Sequence, residues 1–444
     1  MDRLITVKRA EHEEVPAHHV ISEDSKARTF QNPWDSWHKP TIAELVQGLE
    51  WGERDGNRMF PSILGSLKDM FIAPMEGKLP RPSYLSRVNV PLHVQKPDFS
   101  FAEERVKATW LGHAGSLVQL PPLTPGDRPF TVLFDPIFSA RCSPSQWIGP
   151  IRSFRPPCKV KELPPIDLVV ISHNHFDHLD FHTIESLWKH FPDTVHFFAP
   201  LGNKDWFIQP HLGISAERVY DMDWWDEAHI HAPSTGTEVG AGIRLVCTPA
   251  QHCSGRSIGD ACRTLWASWF LEHTLPDNDV FRIYFGGDTG YQFHTTAGSD
   301  DDTYPACPAF EQITDKLGAP DLSLLPVSVG ATYAYLKSFD ILPDGLSPVP
   351  RMNDGLTGAN HMSASDAVKV FTIMQRSSSK RVPVAMGIHW GTFVEGMGEV
   401  VDTMTTLEKA CQAHQVDYAR ALHTKPLHPT FALVHHGQSI SLPR

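Results

Sequence analysis

From about residue 106 onward, short apolar runs recur along the chain, each closed by a polar or glycine-containing turn. Runs of this length, rich in β-branched and aromatic residues, predict buried strands. On that pattern strands are expected at 107–111, 117–120, 131–134, 167–171, 195–198, 243–247, 268–271, 281–285, 322–326 and 384–388. Segments between them predict helices at 183–190, 309–316, 364–374 and 400–414. Many strands with helices inserted at intervals predict an α/β layered sandwich: two mixed sheets inside, helices outside. No internal repeat is visible in the sequence.

Ahead of residue 106 the pattern changes. Residues 1–28 are polar, alternate charge and histidine, and are expected to be disordered. Residues 29–105 read as an N-terminal extension that packs on the core or covers it as a lid, leaving 106–444 as the main domain. Within the extension, Ile42 to Val46 predicts a short helix. The stretch 59–75, with Phe60, Ile63, Leu64, Met70 and Phe71, offers an apolar surface suited to packing or to touching a membrane.

Composition narrows the partners. The chain has 51 acidic and 39 basic residues, a formal net charge of −12. Nucleic-acid binders carry basic stripes, so no nucleic-acid partner is expected. No window approaches ~18 uninterrupted apolar residues, the length a membrane-crossing helix needs. The N-terminus lacks the apolar region of a secretory signal and is too acidic for a mitochondrial presequence. Seven cysteines without a CxxC pair fit reduced thiols, and the expected location is the cytoplasm, with peripheral membrane attachment as an option. Cys253, beside His252, is expected to be a small buried neighbour rather than a ligand.

The chemistry concentrates in Ser172-His173-Asn174-His175-Phe176-Asp177-His178-Leu179-Asp180, directly after the apolar run 166–171. Imidazole and carboxylate are ligands that suit zinc and its neighbours. His173 and His175 can share one ion, while the loop turns Asp177 and His178 toward a second. Polar residues also gather past other strand ends: Asp135, His252, Asp288 and His389. Loops beyond strand ends are where α/β sheets bind ligands. The set predicts a two-ion site, with His173, His175 and His252 on one metal and Asp177, His178 and His389 on the other. Asp288 would bridge. Two ions ~3.5–4 Å apart share a water whose pKa falls toward neutrality, which suits hydrolysis of phosphodiesters, thioesters, lactones or β-lactams.

HxHxDH, a later histidine, a Gly-Asp after a strand and a final strand-plus-histidine resemble the signature of the metallo-β-lactamase fold superfamily. Longer runs resemble the N-acylphosphatidylethanolamine-hydrolysing phospholipase D family: Thr109 to Ala114, Asp135 to Ser139, Glu162 to Asp167, Asp223-Trp224-Trp225, Thr248 to His252, Gly287 to Tyr291 and Ile388 to Phe393. Asn32-Pro33-Trp34 matches the family's N-terminal region. The resemblance implies an αββα sandwich, two zinc ions, a homodimer, and phosphodiester cleavage by a metal-bridging hydroxide. The products implied are an N-acylethanolamine and phosphatidic acid, from a phospholipid substrate at a membrane surface. It further implies Asp135 as the residue orienting a ligand histidine, and His361 as the group that hydrogen-bonds the transition state or protonates the leaving group. Two excursions, 292–306 and 334–360, depart from the family pattern. They leave open an alternative: a zinc hydrolase of the same fold acting on a small-molecule substrate, a soluble ester, lactone, lactam or amide.

Overall fold

Successive residues of one strand face different cores. In the strand Phe130–Phe134, Phe130, Val132 and Phe134 enter one cluster, and Leu133 enters another on the opposite side. Leu168 and Val170 divide from Val169 in the same way. A strand whose two faces are both apolar must be covered on both sides, and the fold supplies a second sheet on one and a helix on the other.

The computed structural model describes residues 3–21, 28–47, 49–50, 91–147, 149–232, 242–257, 259–275, 278–295, 303–328, 351–352, 354–376, 380–394, 397–422 and 425–444. In chain order the strands are β1 (Leu4–Lys8), β2 (His19–Ile21), β3 (Arg28–Phe30), β4 (Leu49–Glu50), β5 (Arg105–Gly112), β6 (Gly115–Leu120) and β7 (Phe130–Phe134). Then come β8 (Leu168–Val170), β9 (His196–Pro200), β10 (Val219–Met222), β11 (Glu227–His231), β12 (Gly242–Thr248), β13 (Ser268–Thr274) and β14 (Val280–Phe285). The last are β15 (Leu322–Pro326), β16 (Arg351–Met352), β17 (Val384–Ile388), β18 (Asp417–Ala419), β19 (Thr430–Ala432) and β20 (Ser439–Pro443). The α-helices are α1 (Ile42–Gln47), α2 (Phe181–His190), α3 (Lys204–Phe207), α4 (Ala309–Leu317), α5 (Ala364–Met374) and α6 (Met397–Ala413).

One sheet has seven strands in the order β10-β9-β8-β7-β6-β5-β20, the other nine in the order β1-β11-β12-β13-β14-β15-β17-β19-β18. Both are mixed: β7 to β10 are parallel, as are β14, β15, β17, β19 and β18, with antiparallel strands beside them. The sheets meet face to face, with Phe134 stacked on Phe285 at 4.6 Å between ring centroids. Helix α2 covers the outer face of the seven-stranded sheet through Ile184 and Leu187. Helices α4 and α5 cover the other sheet through Phe310, Ile313, Val370 and Phe371. The architecture is the αββα sandwich of the metallo-β-lactamase fold, as the sequence implied.

The N-terminus differs from expectation. Residues 4–8, expected to be disordered, form the edge strand β1 against β11 in register Leu4↔His231 through Lys8↔Glu227. The reason is a short alternation: Ile5 and Val7 pack on the core while Leu4, Thr6 and Lys8 face out. Arg3 adds an ion pair to buried Asp167 at 3.3 Å. The apolar stretch 59–75, with Phe60, Ile63, Leu64, Met70 and Phe71, lies outside the described residues. So do Asp300 to Asp302 and residues 334–350 of the two excursions; Gln292 and Ala306 form an antiparallel bridge at the base of the first. Among the described residues no helix is long and apolar enough to cross a membrane.

Candidate metal centre

The loops that carry the candidate ligands begin where strands stop. β8 runs into Ile171, whose N–H donates to Phe198 O at 2.8 Å on its own sheet. Trp269 Nε1 donates to Ile171 O and the Ala267 N–H to Ser172 O, each at 2.9 Å, so the facing sheet grips the same loop. On that facing sheet β12, β14 and β17 run in one direction and end at His252, Asp288 and His389. A Cβ added to Gly287 would lie 2.4 Å from Ser172 Cβ. Only glycine lets the Asp288 turn approach the histidine loop so closely.

Three nitrogens form a compact triangle. His173 Nε2 is 2.7 Å from His175 Nδ1, and His252 Nε2 is 3.2 and 3.3 Å from those two atoms. Nitrogens bound to one tetrahedral zinc at ~2.0–2.1 Å stand about 3.3 Å apart, so the triangle has ligand dimensions. Burial holds His173 and His252 well below the usual imidazole range, and His175 below it as well. Neutral rings with a free lone pair are what a cation requires.

The second group is carboxylate-rich. Asp288 Oδ2 lies 3.2 Å from His178 Nε2, and Oδ1 lies 3.0 Å from His389 Nε2. Asp288 Oδ2 also faces the first triangle, 3.7 Å from His252 Nε2 and 3.9 Å from His173 Nε2. Asp177 Oδ2 stands 3.7 Å from His178 Nε2 and 3.9 Å from His389 Nε2. Asp288 therefore sits between the two groups. His178 Nε2, His389 Nε2 and Asp288 Oδ1 are buried and make no hydrogen bond, although they crowd one another. Buried polar atoms without partners are costly, and converging ones fit a cation between them. Burial alone would depress both rings, yet Asp288 and Asp177 outweigh it, lifting His178 well above its ordinary range and His389 up to about 9. Burial would likewise raise Asp288, but His178, His389 and His361 hold it well below the usual carboxylate range. The pocket is built for positive charge.

Partners behind the ligands fix their rings. Asp135 Oδ2 accepts from His178 Nδ1 at 2.7 Å, and its other oxygen accepts from the Ser172 N–H at 2.7 Å. His252 Nδ1 donates to Asn360 O at 2.9 Å and His389 Nδ1 to Ser328 O at 3.2 Å. Each bond settles which nitrogen is left facing the centre. His361 reaches it too, with Nδ1 3.5 Å from Asp288 Oδ2, and burial takes its ring down to about 4. A Cβ on Gly290 would meet Ala359 O at 1.9 Å, so glycine there lets the segment before His361 close in. Asp135, His113 and His389 all have left-handed backbone, with φ of 37°, 53° and 59°. Such conformations are uncommon outside glycine and persist where surrounding structure enforces them.

The structure thus gathers every residue singled out from the sequence: His173, His175, Asp177, His178, His252, Asp288, His389, His361 and Asp135. It adds three that were not. His113, in the β5–β6 turn, places Nε2 3.0 Å from Asp177 Oδ2 and groups with Asp177, His178 and His389. Its own carbonyl accepts from the His389 N–H at 2.9 Å. It follows a strand end, the signal that found Asp135, but the two-residue turn gave no ligand pattern. Asn32 grips His252 through the backbone, its Nδ2 donating to His252 O at 2.7 Å and its Oδ1 accepting from His252 N at 3.2 Å. Arg256 braces the histidine loop from behind through Asn174 O and Leu179 O. Cys253 stays out of the centre; burial pushes its thiol up to about 12, so it remains neutral.

Comparison with known proteins agrees with this geometry. Residues 131–390 match the model of the β-lactamase superfamily domain. The chain is 28% identical over 351 residues to N-acyl-phosphatidylethanolamine-hydrolyzing phospholipase D 1 of Caenorhabditis elegans, covering 79% of this chain and 80% of that protein. It is 32% identical over 313 residues to an uncharacterized protein of Mycobacterium tuberculosis, covering 69% of this chain and 65% of that one. A mitochondrial N-acyl-phosphatidylethanolamine-hydrolyzing phospholipase D of Saccharomyces cerevisiae is 26% identical over 322 residues, 72% of this chain and 53% of that one. With its matched domain, its sandwich and its two groups of ligands, the chain belongs to the β-lactamase superfamily and is a metal-dependent hydrolase of the metallo-β-lactamase fold.

Proposed function

We propose that the chain is a dinuclear zinc phosphodiesterase that hydrolyses N-acylphosphatidylethanolamine-type lipids at a membrane surface. The observation that carries the metal count is the position of Asp288, between the His173–His175–His252 triangle and the Asp177–His178–His389 group. Support for the substrate comes from the names of the worm and yeast relatives. When bound, a zinc pair would neutralise phosphoryl charge and bring a water near neutrality in pKa.

The chain's own residues supply the rest. Asp288 and Asp177 carry the negative charge that offsets two dications. Asp135, Asn360 O and Ser328 O hold His178, His252 and His389 in fixed tautomers, so the ligand set needs little rearrangement on loading. His361 faces the space beside Asp288 and offers a ring N–H to a phosphodiester oxygen. In the overall reaction the water oxygen forms a bond to phosphorus, and the bond from phosphorus to the ethanolamine oxygen breaks. The water's proton ends on that leaving oxygen, giving an N-acylethanolamine and phosphatidic acid.

The test is direct. Zinc-loaded protein is incubated with N-acylphosphatidylethanolamine in mixed micelles, and both products are quantified by mass spectrometry. Equimolar release of the two is the expected result. Turnover of a soluble ester, lactone, lactam or amide without lipid turnover would replace this reading with the small-molecule alternative.

A further inference from the structure

A second group of ligand-type side chains lies apart from the centre just described. His18 and His19, at the start of β2, converge on Asp223, in the turn that follows β10. His18 Nε2 is 2.8 Å from Asp223 Oδ1, and His19 Nε2 is 2.7 Å from Oδ2. Both histidine side chains are 6% exposed and Asp223 is 15% exposed. The His18 ring stacks on Trp224 at 4.1 Å between centroids, and the His19 ring meets Phe30 edge-on at 5.2 Å. Two rings held from the side have little freedom to turn away.

The two histidines meet the carboxylate differently. His18 has hydrogen-bond geometry toward Asp223. His19 Nε2 is closer, yet it is buried and forms no hydrogen bond. A ring nitrogen this close to a carboxylate but outside hydrogen-bond geometry is compatible with both atoms facing a shared cation. The same signature marks the metal centre, where His178 Nε2 and His389 Nε2 stand 3.2 and 3.0 Å from Asp288 oxygens without hydrogen-bonding them. The Trp224 N–H holds Asp223 Oδ1 at 2.8 Å, which fixes the carboxylate and leaves Oδ2 turned toward His19.

We propose that His18, His19 and Asp223 form a separate, structural site for one dication of the zinc type, with water completing its coordination. Two imidazoles and one carboxylate favour zinc or a neighbouring transition metal over calcium or magnesium, which take all-oxygen sets. The ion would tie the segment that carries Asn32 to the turn after β10. Because Asn32 grips His252, the site would secure from outside a strap whose inner end holds a ligand of the hydrolytic centre.

Full-length protein stripped by chelator and reloaded with zinc is counted by native mass spectrometry, beside His19→Gln and Asp223→Asn variants. Wild type is expected to keep one zinc equivalent more than either variant. This difference does not depend on how many ions the hydrolytic centre holds, because all three proteins share that centre. Equal counts overturn the site and leave the dinuclear reading standing. If both variants fail to fold, hydrogen exchange of the 16–21 peptide in an Asp288→Asn background decides. Slowing by at least tenfold on zinc addition is expected, and unchanged exchange overturns the proposal.

Discussion

Arg256 holds Asn174 by its backbone: Arg256 Nη1 donates to Asn174 O at 2.8 Å, while the neighbouring Gly255 N–H donates to the Asn174 side-chain Oδ1 at 2.7 Å. The same Nη1 donates to Leu179 O at 2.8 Å, so one guanidinium clasps both ends of the loop holding His175, Asp177 and His178. The rings of Phe176 and Trp206 flank it at 4.0 and 5.3 Å. Burial lowers its pKa only to about 10, so it stays charged at neutral pH. Arg256→Met keeps much of the packing but removes the clasp. Metal affinity should fall roughly 10- to 100-fold, the usual effect of losing a partner that orients ligands. Competition against a fluorescent zinc chelator reads it; unaltered affinity would remove Arg256 from the support of the centre.

His113→Gln should weaken one ion more than the other. The histidine touches Asp177 and the backbone of His389 but none of His173, His175 and His252. Stepwise zinc titration should show one affinity near wild type and one reduced by about 10- to 100-fold. An equal loss at both would place His113 elsewhere in the design.

Asp288→Asn should lose metal and hydrolytic activity together. The carboxylate lies between both groups, and an amide cannot balance two dications. Elemental analysis and product release measured on the same sample check the coupling. Full activity in this variant would refute the bridging role.

A pH effect on stability should come from a histidine far from any ligand. His273, in β13, is fully buried with both ring nitrogens unbonded, and burial takes its pKa to about 4. Its unfolded value is near 6.5, so the unfolded chain takes up a proton between these values while the native chain does not. Its stabilising contribution is therefore complete above pH ~6.5 and is lost as pH falls toward 4, about 3 kcal/mol in all. Urea melts of metal-free protein at pH 7.5 and 4.5 should show that loss, and His273→Leu should show correspondingly less of it. Identical pH dependence in the two proteins would contradict it.

The centre was unusually legible in the sequence because metal ligands are side chains, and each stands just past an apolar run. His252, Asp288 and His389 were found that way although they lie far apart in the chain. Arg256 escaped, and Asn32 surfaced only within a family motif with no role attached, because both bond to backbone atoms, which leave no trace in residue types. The central strands announced themselves as apolar runs, and the helices fell within a few residues of their expected limits: 183–190 became Phe181–His190 and 400–414 became Met397–Ala413. Strands β1, β11 and β20 are among those the sequence does not announce, and these three share one physical reason. They lie at or near sheet edges, where only alternate residues are covered, so Glu227-Ala228-His229-Ile230-His231 carries too little apolar signal to stand out.

The ligands divide between the sheets. Those of the seven-stranded sheet come from one loop after β8; those of the nine-stranded sheet come from three separate strand ends. Metal held there would act as a rivet through the rim of two stacked plates, and a slide of about 1 Å between the plates would spoil coordination, since metal–ligand distances tolerate only ~0.2 Å. Metal occupancy would then set the stiffness of that rim. The segment bearing Asn360 and His361 leans on the same rim through His252, so a loaded centre would also govern how far that edge can part to admit a bulky molecule.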